Sequence, residues 1–237
     1  AARAARLAPL GGAYRSLQEA AGRGVLFGGG SGVRRGRVSV LGGGVAGLCA
    51  ARVAAGMGAD VTVFDVDVAR MRYIDEVWGG RIGTRFSSPL AVREACGESD
   101  VVIGSVLVPG ARTPHLVDHE MVLGMVPGSV LVDVAVDQGG CFEDSHPTTH
   151  ADPTFVVGGS VFYCVANMPG AVPHTSTYAL TNATMRYVLL LADEGWRGAC
   201  GSRDDLRRGL ATCGGKLVSA PVGEALGIEC VPVSEVL

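Results

Sequence analysis

Four residues at fixed spacing carry the clearest chemistry in this chain: Gly42, Gly44 and Gly47 form G-x-G-x-x-G, and Asp65 follows eighteen residues after Gly47. A glycine loop that opens a helix offers free backbone N–H groups to an anion, and a carboxylate at that distance accepts from the two ribose hydroxyls of an adenosine. Gly42 allows the tight turn, Gly44 leaves no side chain between backbone and pyrophosphate, and Gly47 lets the helix approach the strand. A 2′-phosphate would meet the Asp65 carboxylate, so the pattern favours NAD over NADP.

Because 36 of the 237 residues are Gly, the bare glycine spacing is expected by chance roughly 0.8 times in a chain of this length. Its setting is what gives it weight. Arg37 to Leu41 reads as a buried β-branched strand, Val45 to Met57 as a Pro-free helix of small apolar residues, and Val61, Val63 and Phe64 as a second strand ending at Asp65.

Further along, Asp137 lies just beyond the carboxyl end of a strong strand, where ligands bind in open α/β sheets. It suits a catalytic or cofactor-contacting role; the plainer reading is a loop carboxylate that caps backbone N–H groups. Asp133, four residues earlier and within the strand, reads as structural. His146 and His150 are four apart, a spacing that on a helix would pair two imidazoles as metal ligands, but Pro147 interrupts and no third ligand is evident. No metal site is expected. Cys141 and Cys164 flank the same region without a His-Asp arrangement and read as small apolar residues.

The elements that must position these residues follow an alternating strand and helix pattern. After the first two strands the sequence predicts a helix near Val66 to Val77, a strand near Arg81 to Phe86 and a helix near Pro89 to Cys96. Next come a strand over Asp100 to Val106, a turn at Pro109-Gly110, a helix over Asp118 to Met125 and a strand over Ser129 to Val136. The run DQGGCFEDSHPTTHADP is a seventeen-residue polar loop, of the length that usually serves a site. Phe155 to Val165 reads as a hairpin around Gly158-Gly159, and Thr175 to Ala192 as a long helix. Residues 1 to 21 read as a short helix, weakened by Pro9 and Gly11-Gly12.

Composition agrees with a parallel sheet covered on both faces: 48% of residues are apolar but only 5% aromatic. A formal net charge of −3 gives no reason to expect nucleic acid or an anionic membrane as partner. The seven cysteines have no C-x-x-C spacing and read as reduced, in a cytoplasmic protein. The expected fold class is therefore α/β: a Rossmann-type doubly wound parallel sheet, with helical flanks belonging to an incomplete second domain. Its boundaries are drawn at 1–23 for a flanking helix, 24–170 for the NAD(H)-binding domain and 171–237 for a C-terminal helical segment.

Four runs, VIGSVLVPGARTPHLV, SVLVDVAVDQGGCFE, SHPTTHADPTFVV and YCVANMPGAVPHTSTYALTNAT, closely resemble L-alanine dehydrogenase, in the group shared with the NAD-binding part of nicotinamide nucleotide transhydrogenase. The resemblance runs from about Gly12 to the C-terminus. It implies NAD-dependent oxidation of L-alanine to pyruvate and ammonium, a small-molecule substrate, and a homo-oligomer, commonly a hexamer, with Thr175 to Ala192 as a contact element. It places Val45 and Ala46 at the pyrophosphate, Asp65 and Arg70 at the adenosine ribose, Ser87 near the adenine, and Val106 and Leu107 after the fourth strand. At the nicotinamide end it places Val134, Ala135, Val136 and Asp137, with Val165, Ala166, Asn167 and Met168. Asp137 matches an essential aspartate, and His146 a basic position near the cofactor.

In full-length members of that family an Arg, a Lys and a His of an N-terminal region hold and protonate the substrate. Here the only lysine is Lys216 and no His precedes His115. Three readings follow from that absence: a piece of an alanine dehydrogenase, towards which the missing initiator Met leans; a catalytically silent NAD(H)-binding module; and the soluble domain of a transhydrogenase. Apolar surface left uncovered on residues 1 to 21 and 171 to 200 would favour the first, and polar surface there the second.

Overall fold

Small and β-branched residues set the architecture. The structure, a computed structural model, describes residues 2–107 and 113–237; the turn expected at Pro109-Gly110 lies outside them. Two compact units are present, the first ending at Leu107 and resuming over Thr113–Ala171, the second holding Val172–Leu237.

In the first unit the order is α1 (Ala2–Arg15), β1 (Arg37–Leu41), α2 (Val45–Gly56), β2 (Asp60–Asp65), α3 (Val68–Trp78), β3 (Gly83–Phe86), α4 (Pro89–Glu98), β4 (Val101–Gly104), α5 (His119–Leu123), β5 (Val130–Asp133), β6 (Thr154–Val157) and β7 (Ser160–Tyr163). The seven strands form one sheet in the order β3-β2-β1-β4-β5-β7-β6. All neighbours are parallel except the hairpin pair β6 and β7. The order reverses between β1 and β4, which is where a doubly wound sheet opens a crevice at its carboxyl edge.

Both sheet faces are covered, which is why the inner strands are mostly apolar. Val101, Ile103, Val130 and Val132 pack on one side with the alanines of α1 and α2, while Val102 and Leu131 pack on the other with Val92, Met121, Phe142 and Phe162. Helix starts are capped where the sequence offers short polar side chains. Asp67, Ser88 and Asp118 each accept backbone N–H groups at the first turns of α3, α4 and α5.

Three expectations are corrected. α1, expected over residues 1 to 21, runs through Pro9, Gly11 and Gly12 but stops at Arg15. Nor does it stand apart from the sheet domain as the boundary at 23 implied, because Ala4, Ala5, Ala8 and Gly12 are buried against α2 and the strands. Gly12 lies so close to β4 that a Cβ there would come 3.0 Å from the Val101 side chain. Small residues pull the helix onto the sheet, and that packing outweighs the weak helix propensity of Pro9, Gly11 and Gly12. β5 also stops three residues short of the expected Val136, and a turn of 3₁₀ helix, Val136–Gln138, follows.

The second unit contains α6 (Pro173–Ser202), α7 (Asp204–Gly209), the two-stranded pair β8 (Thr212–Cys213) and β9 (Lys216–Leu217), and α8 (Ala220–Leu226). α6 is longer than the expected Thr175 to Ala192 and breaks at Gly195, whose φ of 67° lies in the left-handed region that favours glycine. Tyr187 and Arg203 both donate to Asp205, at 2.9 and 2.7 Å, tying α6 to α7. No helix among the described residues is long and apolar enough to cross a membrane.

Candidate functional site

At the carboxyl ends of β1 and β4 the backbone makes its tightest approach. Gly42 has φ +98°, and a Cβ there would stand 2.9 Å from the Val106 side chain. A Cβ on Gly47 would lie only 1.7 Å from the Gly42 carbonyl oxygen, so the helix can start here only with glycine at that position. Gly44 differs from both: nothing stands within 4 Å of its missing Cβ, which leaves room for a ligand atom. Val45 and Ala46 begin α2, and their first-turn N–H groups have no acceptor within the helix.

Asp65 ends β2 and straps this loop from the side. Its carboxylate accepts from Gly43 N–H at 2.5 Å and from Asp67 N–H at 2.9 Å. Arg70 completes the brace, its Nε donating to the Gly43 carbonyl at 2.6 Å while its guanidinium covers the Tyr73 ring. Arg70 is thus placed to hold the loop. Ser105, which sequence reasoning did not single out, donates to the carbonyls of Leu41 and Gly42 at 2.8 and 3.0 Å and pins β4 to the loop. The available signal was a hydroxyl residue directly after a buried strand.

Two clefts open around this loop. One, of about 500 Å³, is lined by Gly42, Gly44, Val45, Ala46, Asp65, Ser87, Val106 and Leu107. The other, of about 260 Å³, is lined by Ala46, Ser105, Leu107, Val134, Ala135, Val136, Asp137, Val165, Asn167 and Met168. Ala46, Ser105 and Leu107 border both, so the clefts adjoin at the crossover point of the sheet. This arrangement fits an extended dinucleotide, with an adenosine on the side of Asp65 and Ser87 and the second nucleoside towards Asp137.

The loop after β5 is organised by Asp133, which is fully buried. Its carboxylate accepts from Ala135 N–H at 2.9 Å, Cys141 N–H at 2.8 Å and the Ser145 hydroxyl at 2.6 Å. Burial pushes this carboxyl above its ordinary value, against donors that favour the anion. Asp137 is its opposite. It sits in the 3₁₀ turn, exposed at the rim of the smaller cleft, with no hydrogen bond among the described residues. Asn167, across that cleft, holds φ 54°, uncommon for a side-chain-bearing residue and tolerated best by Asn, with its carbonyl 3.2 Å from His150 Nε2.

Other positions fall outside both clefts. Ala166 N–H donates to Thr148 carbonyl, 3.0 Å away. His146 stacks on Phe155 at a centroid distance of 3.7 Å, and Phe155 stacks in turn on Phe162. Among the described residues no three His, Cys, Asp or Glu side chains gather as metal ligands do. Cys141 and Cys164 are buried; burial pushes the Cys141 thiol up, and the Cys164 thiol up to about 12, so both stay protonated near neutrality.

Comparison with known proteins agrees with this geometry. The family described as "Alanine dehydrogenase/PNT, C-terminal domain" matches residues 8–220. Alanine dehydrogenase of Mycolicibacterium smegmatis is 56% identical over 234 residues, which is 99% of this chain and 63% of that protein. A solved L-alanine dehydrogenase structure superposes with a TM-score of 0.89 at 46% identity, covering 95% of this chain and 62% of the other. Transhydrogenase from Sinorhizobium meliloti is less similar, with a TM-score of 0.62 at 28% identity over 75% of this chain and 51% of its own. The chain thus spans about 63% of the length of the curated relative. On the profile match and the 0.89 superposition together, the chain belongs to the alanine dehydrogenase/PNT C-terminal domain family.

Proposed function

We propose that this chain is the NAD(H)-binding portion of an L-alanine dehydrogenase, the enzyme that converts L-alanine, NAD⁺ and water to pyruvate, ammonium and NADH. The observation that carries the reading is the pair of adjoining clefts at the crossover of the sheet, one floored by a bare Gly44 and the other rimmed by Asp137, which has no hydrogen bond among the described residues. NAD supplies the hydride acceptor when bound. The chain's own work is to bind and aim it: Val45 and Ala46 offer N–H groups to the pyrophosphate, Asp65 offers its remaining lone pairs to the ribose, and Val134, Val165 and Met168 close an apolar wall beside the second nucleoside. Asp137 is left free to accept or return a proton at the substrate amine. Substrate carboxylate binding belongs to residues supplied elsewhere in the complete enzyme.

Oligomerisation is part of the proposal. Along α6, Tyr178, Leu180, Val188 and Leu189 are each more than half exposed, and on α1 Leu10 and Tyr14 are as well, so both carry the uncovered apolar surface expected of a piece of a larger assembly. The transhydrogenase reading has the weaker likeness, and a silent module would carry polar surface on these helices.

A chimera tests the assignment. This chain replaces the corresponding region of the Mycolicibacterium smegmatis relative, and alanine-dependent NADH formation is followed. Retained activity, lowered about 10²- to 10⁴-fold by Asp137→Asn with NADH affinity kept, is the expected result. A folded chimera that binds NADH without turnover would instead favour the silent module.

A further inference from the structure

The sheet has a second concave region, at the opposite end of its strands from the glycine loop. A cleft of about 800 Å³ opens where β1 and β2 begin, between the end of α2 and the turn after α3. Its walls carry Arg34, Arg35, Arg37, Arg52 and Arg81, and a single carboxylate, Asp60. β1 is five residues long, so roughly 15 Å of strand separates this cleft from the dinucleotide site.

Two of those arginines are already neutralised. Arg34 makes two bonds to Asp100, at 2.6 and 3.0 Å, and Arg37 reaches Glu98 at 3.4 Å. The other three are not. Arg52 lies over the Trp78 ring, 4.9 Å from its centroid, and Arg35 and Arg81 have neither a carboxylate nor a ring partner among the described residues. Three uncompensated guanidiniums thus face one carboxylate, in a chain whose overall formal charge is −3. Like charges converge without partners only at a cost, and a concave wall focuses their field.

Two further features of the cleft fit an anion. Gly56, Gly79 and Gly80 leave its mouth bare, since a Cβ on any of them would meet nothing within 4 Å. The Trp78 indole Nε1 is buried at the same wall with no acceptor among the described residues, a donor that an anionic oxygen would satisfy. We propose that this cleft binds a small polyanion carrying at least two phosphate groups, independently of the dinucleotide site. The guanidinium fork matches phosphate oxygens in pairs, and three forks spread over a cavity of small-molecule size call for more than one phosphate.

The test is a calorimetric titration of inorganic tripolyphosphate into the chain with saturating NADH, which keeps the glycine loop occupied, beside the same titration of an Arg35→Ala/Arg81→Ala variant. Both arginines are exposed and unpaired, so the variant is expected to fold and to bind NADH as the parent does. Saturable binding that falls with salt and weakens at least about tenfold in the variant is the expected result. The Trp78 indole N–H resonance, assigned by Trp78→Phe, should shift on titration. Absence of saturable binding up to about 5 mM at low salt, or equal binding by the variant, would overturn the proposal.

Discussion

The turns that follow β1 and β5 solve one problem in opposite ways. Each must hold an irregular backbone at the carboxyl edge of the same sheet, beside one of the two adjoining clefts. After β1 the shape comes from missing side chains: Gly47 admits the Gly42 carbonyl and Gly44 leaves space. After β5 it comes from a buried carboxylate, with Asp133 gathering two N–H groups and a hydroxyl around itself. The first turn is set by sterics and tolerates no added atom at Gly42 or Gly47. The second is set by hydrogen bonds and tolerates no lost acceptor. Asp137, four residues past Asp133, has no hydrogen bond among the described residues, since the loop's N–H groups at Ala135 and Cys141 go to Asp133.

That contrast can be broken from either side. Gly47→Ala should have the largest effect, since its methyl would overlap the Gly42 carbonyl; we expect a loss of more than about 3 kcal/mol of stability, or no folded protein, in denaturant melts. Asp133→Ala should cost about 2–4 kcal/mol, because three donors lose their acceptor in a dry site. An Asp133→Ala protein as stable as the parent would show that the second turn does not depend on its carboxylate.

A pH titration of stability sharpens the contrast at the far end of the sheet. Burial alone would raise the Asp100 carboxyl, but the Arg34 bond, the Arg37 N–H and the Arg23 charge outweigh it and hold it below its ordinary value of 3.8. The unfolded chain therefore takes up this proton first. The contribution of Asp100 is full above that ordinary value and is lost as pH falls through the folded one. Asp100→Asn should flatten the acid limb of the stability profile; an unchanged limb would show that the arginines do not shift it. Asp137→Asn should have the smallest effect, under about 0.5 kcal/mol, because the side chain is exposed and unbonded.

Residue spacing exposed the first turn better than the second. Glycine positions and strand alternation act over a few residues, so the loop at Gly42 to Gly47 and the hairpin around Gly158-Gly159 were both legible. Contacts between distant segments were not. Nothing local shows that Ser145 and Cys141 fold back on Asp133, that His146 stacks on Phe155, or that Arg34 and Arg37 meet carboxylates some sixty residues away. Gly11 and Gly12 show the same limit: propensity counts them against the helix, whereas a Cβ on either would crowd Tyr163 or Val101 of the sheet beneath α1.

The account rests on NAD(H) lying over Gly44, and a calorimetric titration of NADH into the chain and its Gly44→Ala variant tests that most directly. The variant methyl meets nothing within 4 Å among the described residues, so the melting temperature should stay within about 1–2 °C of the parent. NADH should bind the parent and bind the variant at least about tenfold more weakly. Equal binding by both proteins, or no binding by the parent, would contradict the account.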